Sequence, residues 1–152
     1  MGDRFHVLVV GRPKSKWAQQ AVDDYTKRLR RLGGVAERVV RTERFTGDVE
    51  AVRRGEGERL RAAVRGSLVC LDERGDDLDT EAFAAAVDGL RQRGPVTFAL
   101  GGAYGHDPQT RKEAARTVRL SSLVLNHELA RVVLYEQLYR SLTLLEGFPY
   151  HH

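Results

Sequence analysis

Short apolar runs recur along this chain, separated by segments of helical periodicity, and that alternation constrains the fold more than any other feature. Phe5 to Val10 reads as a buried strand that stops at Gly11. Ser67 to Leu71 reads as a second, closing on Asp72, and Val96 to Leu100 as a third that runs into Gly101-Gly102. Val35 to Arg41 alternates apolar and polar residues, as a half-exposed strand does. Between these runs lie helix patterns. Ser15 to Leu32 has Ser15 placed as N-cap and Gly33-Gly34 as its stop. Val49 to Val64 is rich in Arg and Glu but weakened by Gly55 and Gly57. Asp79-Thr80-Glu81 opens a helix that carries Phe83, Ala86, Val87 and Leu90 on one face, and Asp107-Pro108 starts a short one. Leu120 to Leu125 is a last apolar run, and Glu128 to Leu145 a last helix. Strands separated by helices predict an α/β fold with a mainly parallel sheet and helices on both faces. With 152 residues and no repeat, low-complexity tract or linker, one such domain over residues 1–152 is expected.

A domain of that size has no room for a separate RNA-binding module, so any large substrate must be recognised and processed by the same small body or by two copies of it. The balance of 25 Lys+Arg against 21 Asp+Glu, a formal charge of +4, mildly favours a polyanionic partner and is equally ordinary for a soluble protein. Cys70 is the only cysteine and lies in an apolar run, so it reads as a buried structural thiol, with no intrachain disulfide and no metal site expected. The first ten residues lack the length of a signal peptide, and no run approaches the ~20 apolar residues that span a bilayer. A soluble, cytoplasmic protein without membrane contact is the expectation.

In parallel α/β folds ligands sit beyond the carboxyl ends of the strands. Three segments are therefore candidates: Leu71 to Gly75, Gly101 to Gly105, and the segment after Leu125. The strand ending in Gly101-Gly102-x-x-Gly105 leaves no Cβ at three points where backbone can turn or approach a flat ligand. It is not a dinucleotide fingerprint, which would follow the first strand, where this chain has Gly11-Arg12-Pro13-Lys14. No phosphate-binding G-x-x-x-x-G-K-[ST] occurs either. Leu120-Ser121-Ser122-Leu123-Val124-Leu125 reads either as a core strand or as a loop that wraps an uncharged ligand body. The last helix is apolar on nearly every side, which implies burial on two sides and a contact with a second subunit. The chain closes on Phe148-Pro149-Tyr150-His151-His152, either a frayed tail or one that stacks a base through Tyr150 and hydrogen-bonds through histidine.

At these residues the sequence resembles the small SPOUT-class methyltransferases that make N3-methylpseudouridine in 23S ribosomal RNA (the RlmH type). The likeness runs through the opening Val-Val-Gly strand end, Tyr25 to Leu29, Leu71-Asp72, the Gly101–Gly105 loop, and Leu120-Ser121-x-Leu123-x-Leu125. It continues in His127, Arg131, Glu136 to Arg140 and Pro149-Tyr150-His151. Two positions depart from the family pattern: Tyr104, where an acidic or amide residue is usual, and Asn126, where proline is.

The resemblance implies a C-terminal trefoil knot, S-adenosylmethionine as cofactor, and a homodimer whose site spans both subunits. Carried over by position, Leu71, Gly101, Gly102, Gly105, Leu120, Ser121, Ser122, Leu123, Val124 and Leu125 would hold the cofactor. His127, Tyr139, Arg140 and Tyr150 would face the nucleotide, with Arg131 at a phosphate or the developing imidate and His151 as base or orienting group. The rRNA would be met on the ribosome. Two rivals remain: a non-catalytic RNA- or ribosome-binding module, which needs no glycine loop and would give no heat with S-adenosylmethionine, and a flavodoxin-like nucleotide-binding enzyme.

Overall fold

A computed structural model describes residues 2–152. The elements follow the order β1 (Phe5–Val10), α1 (Lys16–Leu29), β2 (Val35–Val40), α2 (Val49–Ala63), β3 (Ser67–Asp77), α3 (Thr80–Arg91), β4 (Val96–Leu100), α4 (Pro108–Glu113), β5 (Arg116–Arg119) and α5 (His127–Glu146). All strand pairs are parallel, and the five strands are ordered β2-β1-β4-β3-β5. The central strand β4 is buried at every residue, as a strand covered on both faces must be.

The two faces carry separate apolar layers. One joins Phe5, Val7, Val69 and Phe98 of the sheet to Val22 of α1, Phe83 and Val87 of α3, and Leu134, Leu138 and Leu142 of α5. The other joins Leu8, Val40, Leu68 and Ala99 to Leu60 and Ala63 of α2. The expected α/β architecture, with helices on both faces, is thus the observed one. No helix among the described residues is long and apolar enough to cross a membrane.

Helix starts follow local chemistry. Asp48, Asp79, Asp107 and Asn126 each accept a backbone N–H of the first turn through a side-chain oxygen. Ser15 occupies the N-cap position of α1 without making that bond. The Glu128 carboxylate of α5 accepts the N–H groups of Lys14 and Ser15 at 3.2 and 2.9 Å, so a tertiary contact anchors the chain where it enters α1.

Two strand boundaries differ from the sequence expectation. Strand β3 does not close on Asp72. A register shift between Leu71 and Asp76 lets it resume, with Asp76 and Asp77 opposite Val118 and Arg119. The acidic end is held by ion pairs to β5, Arg116–Asp76 at 3.3 Å and Arg119–Asp77 at 3.0 Å. Cross-strand charge pairing supports a strand there that apolar patterning does not show. The last strand is Arg116–Arg119, not the apolar run after it, because an edge strand needs few inward side chains and only Val118 is buried. Leu120 to Leu125 is loop, with Leu123 and Val124 75% and 78% exposed.

Candidate active site

The carboxyl ends of β3 and β4 and the loop after β5 enclose a cleft of about 630 Å³, within the size range of small-molecule sites. Its walls are Leu71 to Arg74, Leu100 to His106, and Arg119 to His127 without Ser122, closed by Arg53 of α2 and Ala130 of α5. Of the ten residues assigned to the cofactor from sequence, nine line it. Ser122 is the exception: it is exposed, while the neighbouring Ser121 hydroxyl accepts the Leu123 N–H at 2.9 Å and shapes the loop.

The glycine loop is folded on itself. The Gly105 N–H donates to the Gly102 carbonyl at 3.0 Å, and Gly105 adopts φ +81°, a left-handed conformation disfavoured for other residues. A Cβ on Gly101 would meet Gly105 backbone at 3.1 Å, and one on Gly102 would meet Glu56 Oε1 at 2.5 Å. Close protein packing by itself requires glycine at 101 and 102, and all three glycines line the cleft.

Support for the loop comes from α2, which the sequence reading undervalued. Gly57, taken there as a weakness, lies so close to Asp107 that a Cβ would be 2.5 Å from its Oδ1. Beside it, Glu56 is 5% exposed, accepts the Glu43 N–H at 3.1 Å through Oε2, and turns an unpaired Oε1 toward Gly102. Burial raises its pKa above the usual carboxylate range. The sequence signal was a glutamate flanked by glycines in a helix, a pattern that local propensity scores only as a defect.

Asp107 is the pin between loop and helix. It accepts the Thr110 N–H at 3.0 Å and Arg61 Nη1 at 3.2 and 3.1 Å. Burial alone would raise its pKa, but the Thr110 and Arg61 hydrogen bonds outweigh it and hold the carboxyl below its usual range. A carboxyl with a depressed folded pKa contributes stability above its unfolded pKa, and that contribution is lost as pH falls through the folded value. Asp107→Ala should lower stability by about 1–2 kcal/mol at neutral pH, measured by urea unfolding. The difference from the parent should shrink in acid; a difference that grows there refutes the assignment. His106, next along the chain, is 2% exposed and bonds the Ala99 carbonyl at 3.0 Å through Nε2. Burial lowers its pKa and favours a neutral ring under the cleft. Cys70, as expected, is buried, and burial pushes its thiol up to about 12.

The substrate-side candidates fall into two groups. His127 lines the cleft. Tyr139, Arg140, Tyr150 and His151 lie along and beyond α5; the thirteen positions from His127 to Arg140 amount to roughly 20 Å of helix. The tail there is packed. The Tyr150 hydroxyl donates to Glu136 Oε2 at 2.9 Å and lies 3.3 Å from the Tyr25 hydroxyl. Its ring meets Tyr139 edge-on at 4.7 Å, and the Arg140 guanidinium lies 4.8 Å over it. Arg140 Nη1 is 3.1 Å from His151 Nδ1. Tyr25 and Glu136 were not among the candidates, although both fall within the matched family pattern.

Arg131 is a buried, ion-paired residue of α5. It is 2% exposed and absent from the cleft wall. Its Nε and Nη2 donate to Glu37 at 2.9 and 2.7 Å, and Nη2 also donates to Gln19 Oε1 at 2.8 Å. Tyr135 donates to the same carboxylate at 2.8 Å. This arginine ties α5 to β2 and α1.

A parallel sheet with a glycine loop and a ligand-sized cleft at its carboxyl edge defines a small-molecule-binding α/β enzyme. The family model described as "Predicted SPOUT methyltransferase" matches residues 4–151, and the chain belongs to the SPOUT methyltransferase family. Ribosomal RNA large subunit methyltransferase H of Geobacter sulfurreducens is 38% identical over 153 residues, spanning 98% of this chain and 99% of that one. The protein of the same name from Delftia acidovorans is 42% identical over 149 residues, 95% of this chain and 96% of that one. Among solved structures, a probable methylase family protein from Haemophilus influenzae Rd KW20 superposes with a TM-score of 0.60 at 10% identity, covering 95% of this chain and 67% of that chain. That likeness is one of fold.

Proposed function

We propose that this chain methylates N3 of a pseudouridine in 23S ribosomal RNA, using S-adenosylmethionine and working as a homodimer on the ribosome. The observation that carries the reading is the cleft itself. Its walls include the glycine loop, its apolar loop residues Leu123 and Val124 stand exposed, and the acidic residues Asp72 and Glu73 are among those that line it, which suits a cationic ligand. Two of its arginines are already engaged, Arg53 with Glu50 and Arg119 with Asp77, which disfavours a polyphosphate and suits a sulfonium nucleoside. The near-full-length relatives named as large-subunit rRNA methyltransferases agree with this substrate class.

Bound S-adenosylmethionine supplies an activated methyl group. The chain's task is then to align the nucleophile with it and to let the imide nitrogen lose its proton. In this proposal Leu71, Gly101 to Gly105 and Leu120 to Leu125 hold the cofactor through backbone and apolar contacts, in a C-terminal trefoil knot. His127 meets the nucleotide from the cleft side. Tyr139, Arg140, Tyr150 and His151 are too far along α5 to share their own chain's cleft. They serve the cleft of a second subunit, which would also cover Leu123, Val124 and Leu129, all exposed here. Arg140 takes the charge-stabilising role first given to Arg131. It is held by Glu136 and turned toward His151, which is the candidate proton acceptor.

The test is methyl transfer from labelled S-adenosylmethionine to ribosomes lacking the modification, followed by mass mapping of the RNA. Label on one large-subunit pseudouridine supports the reading; cofactor binding without label on 23S rRNA overturns the substrate. His151→Ala should lower turnover by about 10²-fold or more with cofactor affinity unchanged by calorimetry. Unaltered turnover removes His151 from the reaction.

A further inference from the structure

Beside the cleft, on the side away from α5, two aromatic rings stand in the open. Phe45, in the loop before α2, and Tyr104, at the tip of the glycine loop, stack with centroids 5.7 Å apart and planes inclined by 30°. They are 51% and 40% exposed. Tyr104 borders the cleft and Phe45 does not. A mutually stacked pair on surface loops that leaves close to half of its area in water gains less from folding than a buried pair does. Its position is nevertheless fixed from below. Arg53 Nε donates to the Tyr104 carbonyl at 2.7 Å, while its Nη1 is held by Glu50 at 2.6 Å.

The charge around the pair is suited to a nucleic-acid strand. Of the local carboxylates, Glu43 is paired with Arg59 and Glu50 with Arg53, and Asp48 caps α2. Arg44, adjoining Phe45, and Arg54, adjoining Arg53, are both exposed and form no ion pair among the described residues. Aromatic faces for bases, with exposed arginines on the same segments for phosphates, make up the composition of single-strand binding surfaces.

Resting on the proposed RNA substrate, we propose that Phe45 and Tyr104 form a stacking platform for an unpaired base next to the nucleotide methylated, with Arg44 and Arg54 meeting its flanking phosphates. The platform holds the strand at the mouth of the cleft while the target base enters. It reads no sequence, because every base offers a π-face.

A short oligouridylate and an abasic oligomer of equal length and charge separate stacking from phosphate attraction. The unaltered protein should bind the base-bearing strand at least about fivefold more tightly. Phe45→Ala should close that gap, and Phe45→Trp should keep or widen it. Affinity for S-adenosylmethionine, measured by calorimetry, should be the same in all three proteins, which also confirms that each is folded. Equal preference for bases in the parent and in Phe45→Ala overturns the proposal. So does a loss of cofactor affinity in Phe45→Ala, which would make the pair part of the cofactor site. Methyl transfer to ribosomes by the parent is scored separately, so an intact enzyme without a base preference sinks the platform alone.

Discussion

Arg131→Ala should destabilise the protein by about 3 kcal/mol, because it removes the buried partner of an ion pair and leaves Glu37, whose side chain is 20% exposed, short of partners. Glu37 would lose the bonds at 2.9 and 2.7 Å, keeping only the Tyr135 hydroxyl, and Gln19 would lose its partner. Three elements meet at this point, α1 through Gln19, β2 through Glu37 and α5 through Arg131. The loss should therefore appear as lower global stability in urea unfolding, not as local fraying. Removing both charges is the decisive comparison. Arg131→Met combined with Glu37→Met should recover much of the loss, since a buried pair replaced by apolar side chains of similar volume is often neutral. The double variant should also bind the cofactor normally. A stable Arg131→Ala protein that has lost only turnover would return this arginine to the chemistry.

Gly101→Val should lower affinity for S-adenosylmethionine by at least about tenfold, the equivalent of 1.4 kcal/mol, and titration calorimetry reads it directly. The added side chain starts 3.1 Å from Gly105 backbone, in a loop closed by the Gly105–Gly102 hydrogen bond. It must either push Gly105 and His106 aside or project into the cleft, and both deform the wall. His106 cannot yield easily, being buried and bonded to the Ala99 carbonyl of β4. Unchanged affinity in a folded variant would move the cofactor away from this loop. The milder Gly101→Ala separates the two routes: its methyl reaches Gly105 without filling the cleft, so any loss it causes comes from the loop's shape.

Much of the fold was legible because burial on both sides of a parallel strand leaves continuous apolar runs, as in β1, β4 and the first half of β3. Side-chain caps at Asp79 and Asp107 were readable for the same local reason. What escaped was whatever depends on partners distant in sequence. The acidic half of β3 and the basic β5 are strands because their charges pair across the ladder. Gly57 is suited to its helix position because Asp107 packs against it, and the entry to α1 at Ser15 is held by Glu128 from the far end of the chain.

The site divides along the same line. Residue order alone marked the loops after β3 and β4, since a parallel sheet delivers its strand ends to one edge whatever the details of packing, but it placed the third after Leu125, whereas the cleft loop already begins at Arg119. It could not tell an arginine tied into the core from one packed against the chain's end. Arg131 and Arg140 sit on the same apolar helix, nine residues apart, and nothing local separates them. Only the tertiary structure did so, by bringing Glu37 and Gln19 to the first and the terminal Tyr150 and His151 to the second. Hydrophobic periodicity is a property of neighbours along the chain and therefore specifies elements and their edges. The fate of a charge depends on which distant groups arrive beside it, and that is settled when the layers pack.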